Sequence, residues 1–294
     1  MLRLTAKPRS TELAAEAARL VAASTSARGG RPAVLAAVIA TEQEDAHIYI
    51  ARLLKQAAAA GLAVREVSLP PDSDEASIKR ELESLSADPD IAGIILNYPL
   101  PPGVDRERAA ASIARTKDVD GLSPENAELL ESGRAGEAIL PATAAAVMEL
   151  LAAHGIAVAG RRAAVVGRSA VAGRPIATLL RQAGASVGVV HSKTADMGAI
   201  TRPAEIVVVA AGVRGLLRGE HVSPGAVVVD VGIHADGDSV AGDVDAASVE
   251  PVLGERGALS PVPGGVGPLT NAVLVLQAAH AAVRLADAGR TART

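Results

Sequence analysis

Residues 161–194 read R-R-A-A-V-V-G-R-S-A-V-A-G-R-P-I-A-T-L-L-R-Q-A-G-A-S-V-G-V-V-H-S-K-T. An apolar run of β character, 163–166, meets Gly167, an amphipathic stretch follows over 175–182, and a second β-type run covers 186–190. Strand, glycine turn, helix, strand is a βαβ unit. The turn that feeds the helix N-terminus is a natural anion site, because backbone N–H groups and the helix dipole both face it. The rest of the chain is read outward from this unit.

The turn departs from the common G-x-G-x-x-G spacing. Gly167 is in place, Ser169 stands where the second glycine is usual, and Gly173 comes one residue late. The second strand ends in His191-Ser192-Lys193-Thr194, where an enzyme reading an unphosphorylated ribose carries Asp or Glu. Arg168, the Ser192 hydroxyl and the Lys193 charge suit a 2′-phosphate instead, which makes NADP the expected cofactor. The plainer alternative is a surface arginine beside a solvated strand end.

Bulk properties narrow the class. A chain of 294 residues suits two modest domains or one large one. With 49% hydrophobic and 21% charged residues it is globular rather than disordered. A net charge of −4 without a basic run speaks against nucleic acid as a partner. No apolar stretch approaches the roughly 18 residues needed to span a bilayer, and the N-terminus lacks a secretory core, so a cytoplasmic protein away from membranes is expected. Cysteine is absent, which excludes thiol chemistry, and the six histidines lack ligand spacing, so no metal is expected. With two Tyr and neither Phe nor Trp, the core falls to Ala, Val, Leu and Ile, and each tyrosine merits attention.

Along the chain, helical spacing marks 11–23, with Ser10 or Thr11 as cap, then 46–60, 74–87 and 144–154. Strands are read at 33–40, 62–69 and 91–96. This alternation predicts an α/β fold with a parallel sheet covered by helices. Asn97-Tyr98-Pro99-Leu100-Pro101-Pro102 follows the last of those strands as a stiff loop, at the strand end where open α/β sheets bind ligands. Beyond the βαβ unit, strands at 205–211 and 226–231 each run into a glycine, Gly212 and Gly232. Residues 260–270 read as a rigid loop, and 271–286 as a last helix able to pack back on the first domain.

Several strings now converge. K-D-V-D-G (117–121), the G-R-S turn with H-S-K-T, D-V-G-I (230–233), G-D-V-D (242–245) and P-V-P-G-G-V-G-P-L-T (261–270) occur in this order. Together, from about Pro32 to Gln277, the chain resembles the bifunctional methylenetetrahydrofolate dehydrogenase/methenyltetrahydrofolate cyclohydrolase (FolD) family. The resemblance implies a folate-type substrate domain over 1–140, completed by a C-terminal helix in 271–294. It also implies a Rossmann NADP-binding domain over 141–270, nicotinamide held against the pterin, and a homodimer. Carried over by residue, it assigns Gly167, Arg168, Ser169, Ser192 and Ile233 to NADP, with Gly173, Lys193 and Gly212 beside them on the cofactor side. It assigns Tyr49 to stacking on the folate, Asp120 to hydrogen bonds with the pterin, and Pro263, Gly264 and Gly265 to the substrate side.

The hydrolytic apparatus departs from the family pattern. The family lysine four residues after the tyrosine falls on Leu53, and the interval to Gly61 leaves no room for a local insertion. Lys55 lies about 240° round the helix from Tyr49, and Arg52, about 60° away, cannot release a proton at working pH. The family serine is Ala46, the glutamine of Q-L-P-L-P is Asn97, and P-C-T is Pro141-Ala142-Thr143. Relaxed packing in an alanine-rich chain is the plain account of these changes. The functional account is an NADP-dependent dehydrogenase whose cyclohydrolase activity is weak or lost. Two alternatives stay open: an oxidoreductase of this fold acting on another C–N substrate (amine, imine or hydrazine), and a catalytically silent NADP- or folate-binding partner. Tyr98 reads as a rim residue or a new substrate contact. His234 reads as a ribose contact or a strand-end brace, and Asp230 and Asp243 read as structural.

Overall fold

The computed structural model describes residues 1–236 and 239–291. In chain order the elements are β1 (Leu2–Arg3), α1 (Lys7–Ala27), β2 (Val34–Ile39), α2 (Glu44–Ala59), β3 (Ala63–Ser68), α3 (Glu75–Ala87), β4 (Ile91–Leu96), α4 (Arg106–Ala110), α5 (Pro124–Glu131) and α6 (Ala142–Ala153). There follow β5 (Arg162–Val166), α7 (Gly173–Gln182), β6 (Ser186–Val190), α8 (Gly198–Thr201), β7 (Ile206–Val209), β8 (Val227–Asp230), β9 (His234–Asp236), β10 (Ser239–Ala241), α9 (Ala246–Leu253), β11 (Ala258–Leu259) and α10 (Val266–Thr291).

The chain forms two compact units. One comprises Met1–Ser10 and Thr143–Thr270, the other Thr11–Ala142 and Asn271–Thr294. The first ten residues thus differ from the expected span of 1–140, and the cause is strand pairing. Leu2 and Arg3 lie parallel to Ala258 and Leu259 and close one edge of the first unit's sheet. Of the expected C-terminal span, residues 292–294 lie outside the described residues.

The first unit holds a six-stranded parallel sheet in the order β1-β11-β8-β7-β5-β6. Its inner strands are runs of valine, Val207–Val209 and Val227–Val229 among them, buried on both faces as parallel strands under helices must be. The β9–β10 hairpin stands apart as an antiparallel pair.

The second unit holds the three-stranded parallel sheet β3-β2-β4. Its helix α2 buries Ala46, Ile50, Leu53, Leu54 and Ala57, a stripe at helical spacing, while Arg52 and Lys55 face solvent. Each buried leucine or isoleucine of that stripe contributes roughly 1.5–3 kcal/mol of transfer free energy. Near the other end of the unit's sequence, the Ser24 hydroxyl of α1 donates to the Ala282 carbonyl of α10 at 2.8 Å.

Three expectations are corrected. Helix α1 begins at Lys7, so Ser10 lies inside it, donating to the Lys7 carbonyl, and neither Ser10 nor Thr11 caps it. Pro8 sits in the first turn, where a missing N–H breaks no helical bond. Likewise α10 begins at Val266, five residues before the expected start, because Pro268 is again harmless in a first turn. Its span Val266–Arg290, with a mean hydropathy of 1.4, is long and apolar enough to cross a membrane by length and composition, contrary to the sequence reading. More than half of that apolar window is buried inside the protein, as in the core helix of a globular fold.

Candidate active site

In the first unit, β6, β5, β7 and β8 are parallel neighbours, so the turns leaving their C-terminal ends emerge along one edge of the sheet. The chain runs from β5 to β6 on one side and then crosses to β7 on the other. This is the switch point where α/β sheets hold dinucleotides. Gly167 leaves β5 with φ +119, and a Cβ there would run into the Ala210 carbonyl, so no other residue fits the turn. A Cβ on Gly173 would meet the Gly167 carbonyl, so α7 starts hard against the turn. Ser169 fills the second glycine position by using its hydroxyl: it accepts the backbone N–H groups of Ala172 (3.3 Å) and Gly173 (3.4 Å) at the head of α7.

Arg168 is exposed beside this turn. On the adjacent strand, Val190 pairs with Val166, and the chain then turns sharply. The His191 N–H donates to the Thr194 hydroxyl at 3.0 Å and the Lys193 N–H to His191 Nδ1 at 3.1 Å, leaving Ser192 and Lys193 exposed. No carboxylate stands in this turn to repel a 2′-phosphate. A tight glycine turn with cationic, hydroxyl-bearing neighbours and no acid fits a phosphorylated dinucleotide.

Gly212 (φ +66) follows β7. The Ala211 and Gly212 N–H groups donate to Asp243 Oδ2 at 2.7 and 2.9 Å, and the other Asp243 oxygen lies 2.7 Å from His234 Nε2. Asp230 in turn accepts the N–H groups of Gly232, Asp243 and Val244. Burial pushes its carboxyl up to about 6 against those three bonds. Both aspartates and His234 therefore brace the loops that present Gly212 and Ile233, whose side chain is 67% exposed. Pro263, Gly264 and Gly265 belong to this unit as well, between β11 and α10. The Ala6 N–H donates to the Gly264 carbonyl at 2.9 Å and the Gly265 N–H to that of Pro261 at 2.8 Å. The residues nominated for substrate thus divide between the two units.

In the second unit three elements bring Tyr49, Asn97 and Asp120 into one neighbourhood. Asn97 ends β4, is buried, and its Nδ2 donates to the Ala46 carbonyl in the first turn of α2 at 3.4 Å. Tyr49 stands one turn further along α2 with 37% of its surface exposed. Desolvation of its phenol, and then the charge of Asp120, hold its pKa above the ordinary tyrosine range. Asp120 itself is pushed up to about 7, first by desolvation and next by Asp118, while the Ala142 N–H and the charge of Arg106 pull it down. Leu53 is fully buried and carries no proton. Among the described residues the cation seated on an aromatic ring is Arg106 over Tyr98, 3.6 Å from its centroid, and no amine takes that place on Tyr49.

Three residues that hold this neighbourhood together escaped the sequence reading. Buried Asp118 accepts the N–H groups of Leu122 (3.2 Å) and Ser123 (2.7 Å) and the Asn126 side-chain amide (3.0 Å). Asn126 Oδ1 accepts the Ile139 N–H at 3.0 Å. Gln277, on α10, donates to the Val119 carbonyl at 3.0 Å and that of Leu140 at 3.1 Å. Gly121, at φ +69, has no room for a Cβ beside Ile139 and Leu140. A polar Gln277 inside the apolar run V-L-V-L-Q-A-A was the available signal, since a buried amide needs fixed partners.

Comparison with known proteins bears on both units. Residues 4–120 match the tetrahydrofolate dehydrogenase/cyclohydrolase catalytic domain, and residues 141–286 match the NAD(P)-binding domain of the same family. The chain is 47% identical over 257 residues to the bifunctional protein FolD of Nocardia farcinica, covering 87% of this chain and 89% of that one. The crystal structure of the bifunctional FolD enzyme from Campylobacter jejuni superposes with a TM-score of 0.89 at 33% identity, covering 96% of this chain and 98% of that one. That of Trypanosoma brucei FolD, complexed with NADP cofactor and inhibitor, gives 0.89 at 35% identity and covers 100% and 99%.

Proposed function

Since the chain belongs to the tetrahydrofolate dehydrogenase/cyclohydrolase family, we propose that it oxidises 5,10-methylenetetrahydrofolate to 5,10-methenyltetrahydrofolate with NADP⁺, and that its cyclohydrolase activity is weak or absent. The unit Thr11–Ala142 with the C-terminal helix takes the folate, and the Rossmann unit takes the dinucleotide. When bound, NADP⁺ supplies the hydride acceptor. Gly167 and Gly173 allow backbone to approach the pyrophosphate, and Arg168, Ser192 and Lys193 hold the 2′-phosphate. Gly212 and Ile233 line the cofactor loops that Asp243 braces. Tyr49 stacks on the folate, Asp120 accepts hydrogen bonds from the pterin, Asn97 lies beside them, and Pro263, Gly264 and Gly265 serve the substrate side. The protein works as a cytoplasmic homodimer, which sedimentation of purified protein checks.

One observation carries the division of activities: Leu53 is fully buried on α2 where the family places its lysine. Hydride loss from the methylene carbon is driven by the lone pair of the substrate's own adjacent nitrogen, so the protein supplies position rather than a proton. Hydration of the methenyl carbon and ring opening need proton transfers, worth about 10²–10⁴-fold when a group is placed for them. Leu53 can perform none, and Asp120 is the ionisable partner that remains electrostatically coupled to Tyr49. Neither the amine, imine or hydrazine alternative nor the silent-partner alternative gains support from the site.

Stopped-flow oxidation of methylenetetrahydrofolate should show the methenyl product accumulating, and prompt conversion to 10-formyltetrahydrofolate would refute the proposal. Leu53→Lys should raise cyclohydrolase turnover by at least tenfold while destabilising the fold by roughly 3 kcal/mol, the scale of placing an ammonium where a leucine was buried. Leu53→Ala should destabilise comparably, about 2–5 kcal/mol, and gain no hydrolysis.

A further inference from the structure

Only one ring nitrogen of His234 is engaged inside the protein. The residue opens β9, just beyond the C-terminal end of β8, and its Nε2 lies 2.7 Å from Oδ1 of the fully buried Asp243. A carboxylate has no hydrogen to give, so Nε2 carries the proton in the neutral ring and Nδ1 is left as an acceptor. Nδ1 has no hydrogen-bond partner among the described residues and is not sealed from solvent, with the side chain 23% exposed. The support beneath it is rigid. The other Asp243 oxygen takes the Ala211 and Gly212 N–H groups, a Cβ on Gly232 would run into that carboxylate, and one on Gly242 would run into Asp230. Bracing a loop accounts for Nε2 and leaves Nδ1 without a role.

Sheet order decides which part of a dinucleotide passes this nitrogen. The strands lie side by side as β8-β7-β5-β6. Ser192 and Lys193 follow β6, at the 2′-phosphate end of the proposed cofactor, and Gly167 follows β5, at its pyrophosphate. The other half of the molecule then extends past β7 toward β8. Neighbouring strands stand about 4.8 Å apart, so the end of β8 is roughly 10 Å from the Gly167 turn, far enough to clear the ribose and reach the nicotinamide ring. Ile233, 67% exposed, offers that ring an apolar surface, and His234 beside it offers an acceptor. The ring carries a carboxamide, whose N–H groups need an acceptor once they leave water.

We propose that His234, oriented by Asp243, binds the nicotinamide end of NADP⁺: Nδ1 accepts an N–H of the carboxamide and fixes the rotation of the ring. The inference rests on the reading of this unit as the NADP site and adds to it the group that sets the ring's angle. Rotation decides which face of the ring is turned toward a hydride donor, so a fixed carboxamide contributes through orientation. His234 exchanges no proton in this role, because the nitrogen that carries one stays on Asp243.

Calorimetric titration of the intact protein without folate tests this with three nucleotides. They are NADP⁺, its 3-acetylpyridine analogue, which carries a methyl in place of the amide nitrogen, and 2′,5′-ADP, which lacks the nicotinamide half. His234→Phe keeps a ring and removes both nitrogens. It should weaken NADP⁺ by about three- to tenfold, the scale of one hydrogen bond, while binding of the analogue and of 2′,5′-ADP stays close to that of the unaltered protein. His234→Gln offers Asp243 a donor and the ligand an acceptor, and should retain most of the affinity for NADP⁺. In the unaltered protein labelled with ¹⁵N-histidine, the His234 Nδ1 signal, assigned from the His234→Gln spectrum, should shift when NADP⁺ is added and stay in place with 2′,5′-ADP. Equal losses for NADP⁺ and the analogue in His234→Phe, a loss shared by 2′,5′-ADP, or an Nδ1 signal unmoved by NADP⁺ would overturn the inference and confine His234 to bracing the loop. Failure of the unaltered protein to bind NADP⁺ at all would instead refute the cofactor reading, and this inference with it.

Discussion

Arg168 stands exposed at the end of β5, on the strand next to the turn that presents Ser192 and Lys193. A guanidinium that grips a phosphate through charged hydrogen bonds contributes about 1.5–3 kcal/mol, whereas against a ribose hydroxyl it has little to hold. Arg168→Ala should therefore weaken NADP⁺ binding by roughly 10- to 100-fold and NAD⁺ binding far less, as calorimetric titration would show. Equal losses for the two nucleotides would contradict a phosphate role. The identity of this turn was legible in the sequence because glycine, serine and arginine are chosen there for backbone and charge. The bracing by Asp243 was not, since the carboxylate that holds the Ala211 and Gly212 N–H groups comes from a residue some thirty positions away.

Among the elements, α10 does more than complete a domain. Its Gln277 is the clamp that ties K-D-V-D-G to Leu140, donating to two carbonyls at once. Gln277→Leu keeps the volume and leaves the Val119 and Leu140 carbonyls without their donor. Each unmet buried carbonyl costs about 1–3 kcal/mol, part of which relaxation of the loop recovers. The expected outcome is a loss of roughly 2 kcal/mol in urea unfolding and a several-fold rise in the folate KM with the NADP⁺ KM unmoved. A KM for folate that stays constant would confine Gln277 to stability. The helix itself was visible as an apolar run. Its early start was not, because P-G-G-V-G-P reads as loop until Pro268 is seen to occupy a first turn, where proline is tolerated. The short α4 escaped notice for a related reason: five residues carry too little periodicity to register, although Asp105 caps it by accepting the Arg108 N–H at 2.8 Å.

For the whole molecule, the shifted carboxyls fix how stability varies with pH. Asp120 and Asp230 titrate in the folded state at about 7 and about 6, against about 3.9 unfolded. A raised carboxyl contributes stability that is complete below its unfolded value and is lost as pH rises through its folded value. Glu75, lowered to about 2 chiefly by its Arg108 partner, and Asp74, lowered by Ser77, act oppositely, losing their contribution as pH falls. Stability should peak at roughly pH 4 and decline as pH rises from there to about 7, with Asp120 accounting for at most roughly 4 kcal/mol of that decline. Urea midpoints followed between about pH 4 and pH 7 should fall less steeply in Asp120→Asn, and an unchanged slope would refute the assignment. The sequence by itself determined the α/β class, the nucleotide turn and the family, because each of these is written in local residue choice and spacing. Only the tertiary structure decided that Leu2 and Arg3 complete the nucleotide-binding sheet, that Asn97 reaches the Ala46 carbonyl of α2, and that Arg106 sits on the Tyr98 ring. Desolvation and charge proximity depend on which distant segments the folded chain brings together, and no local pattern records that.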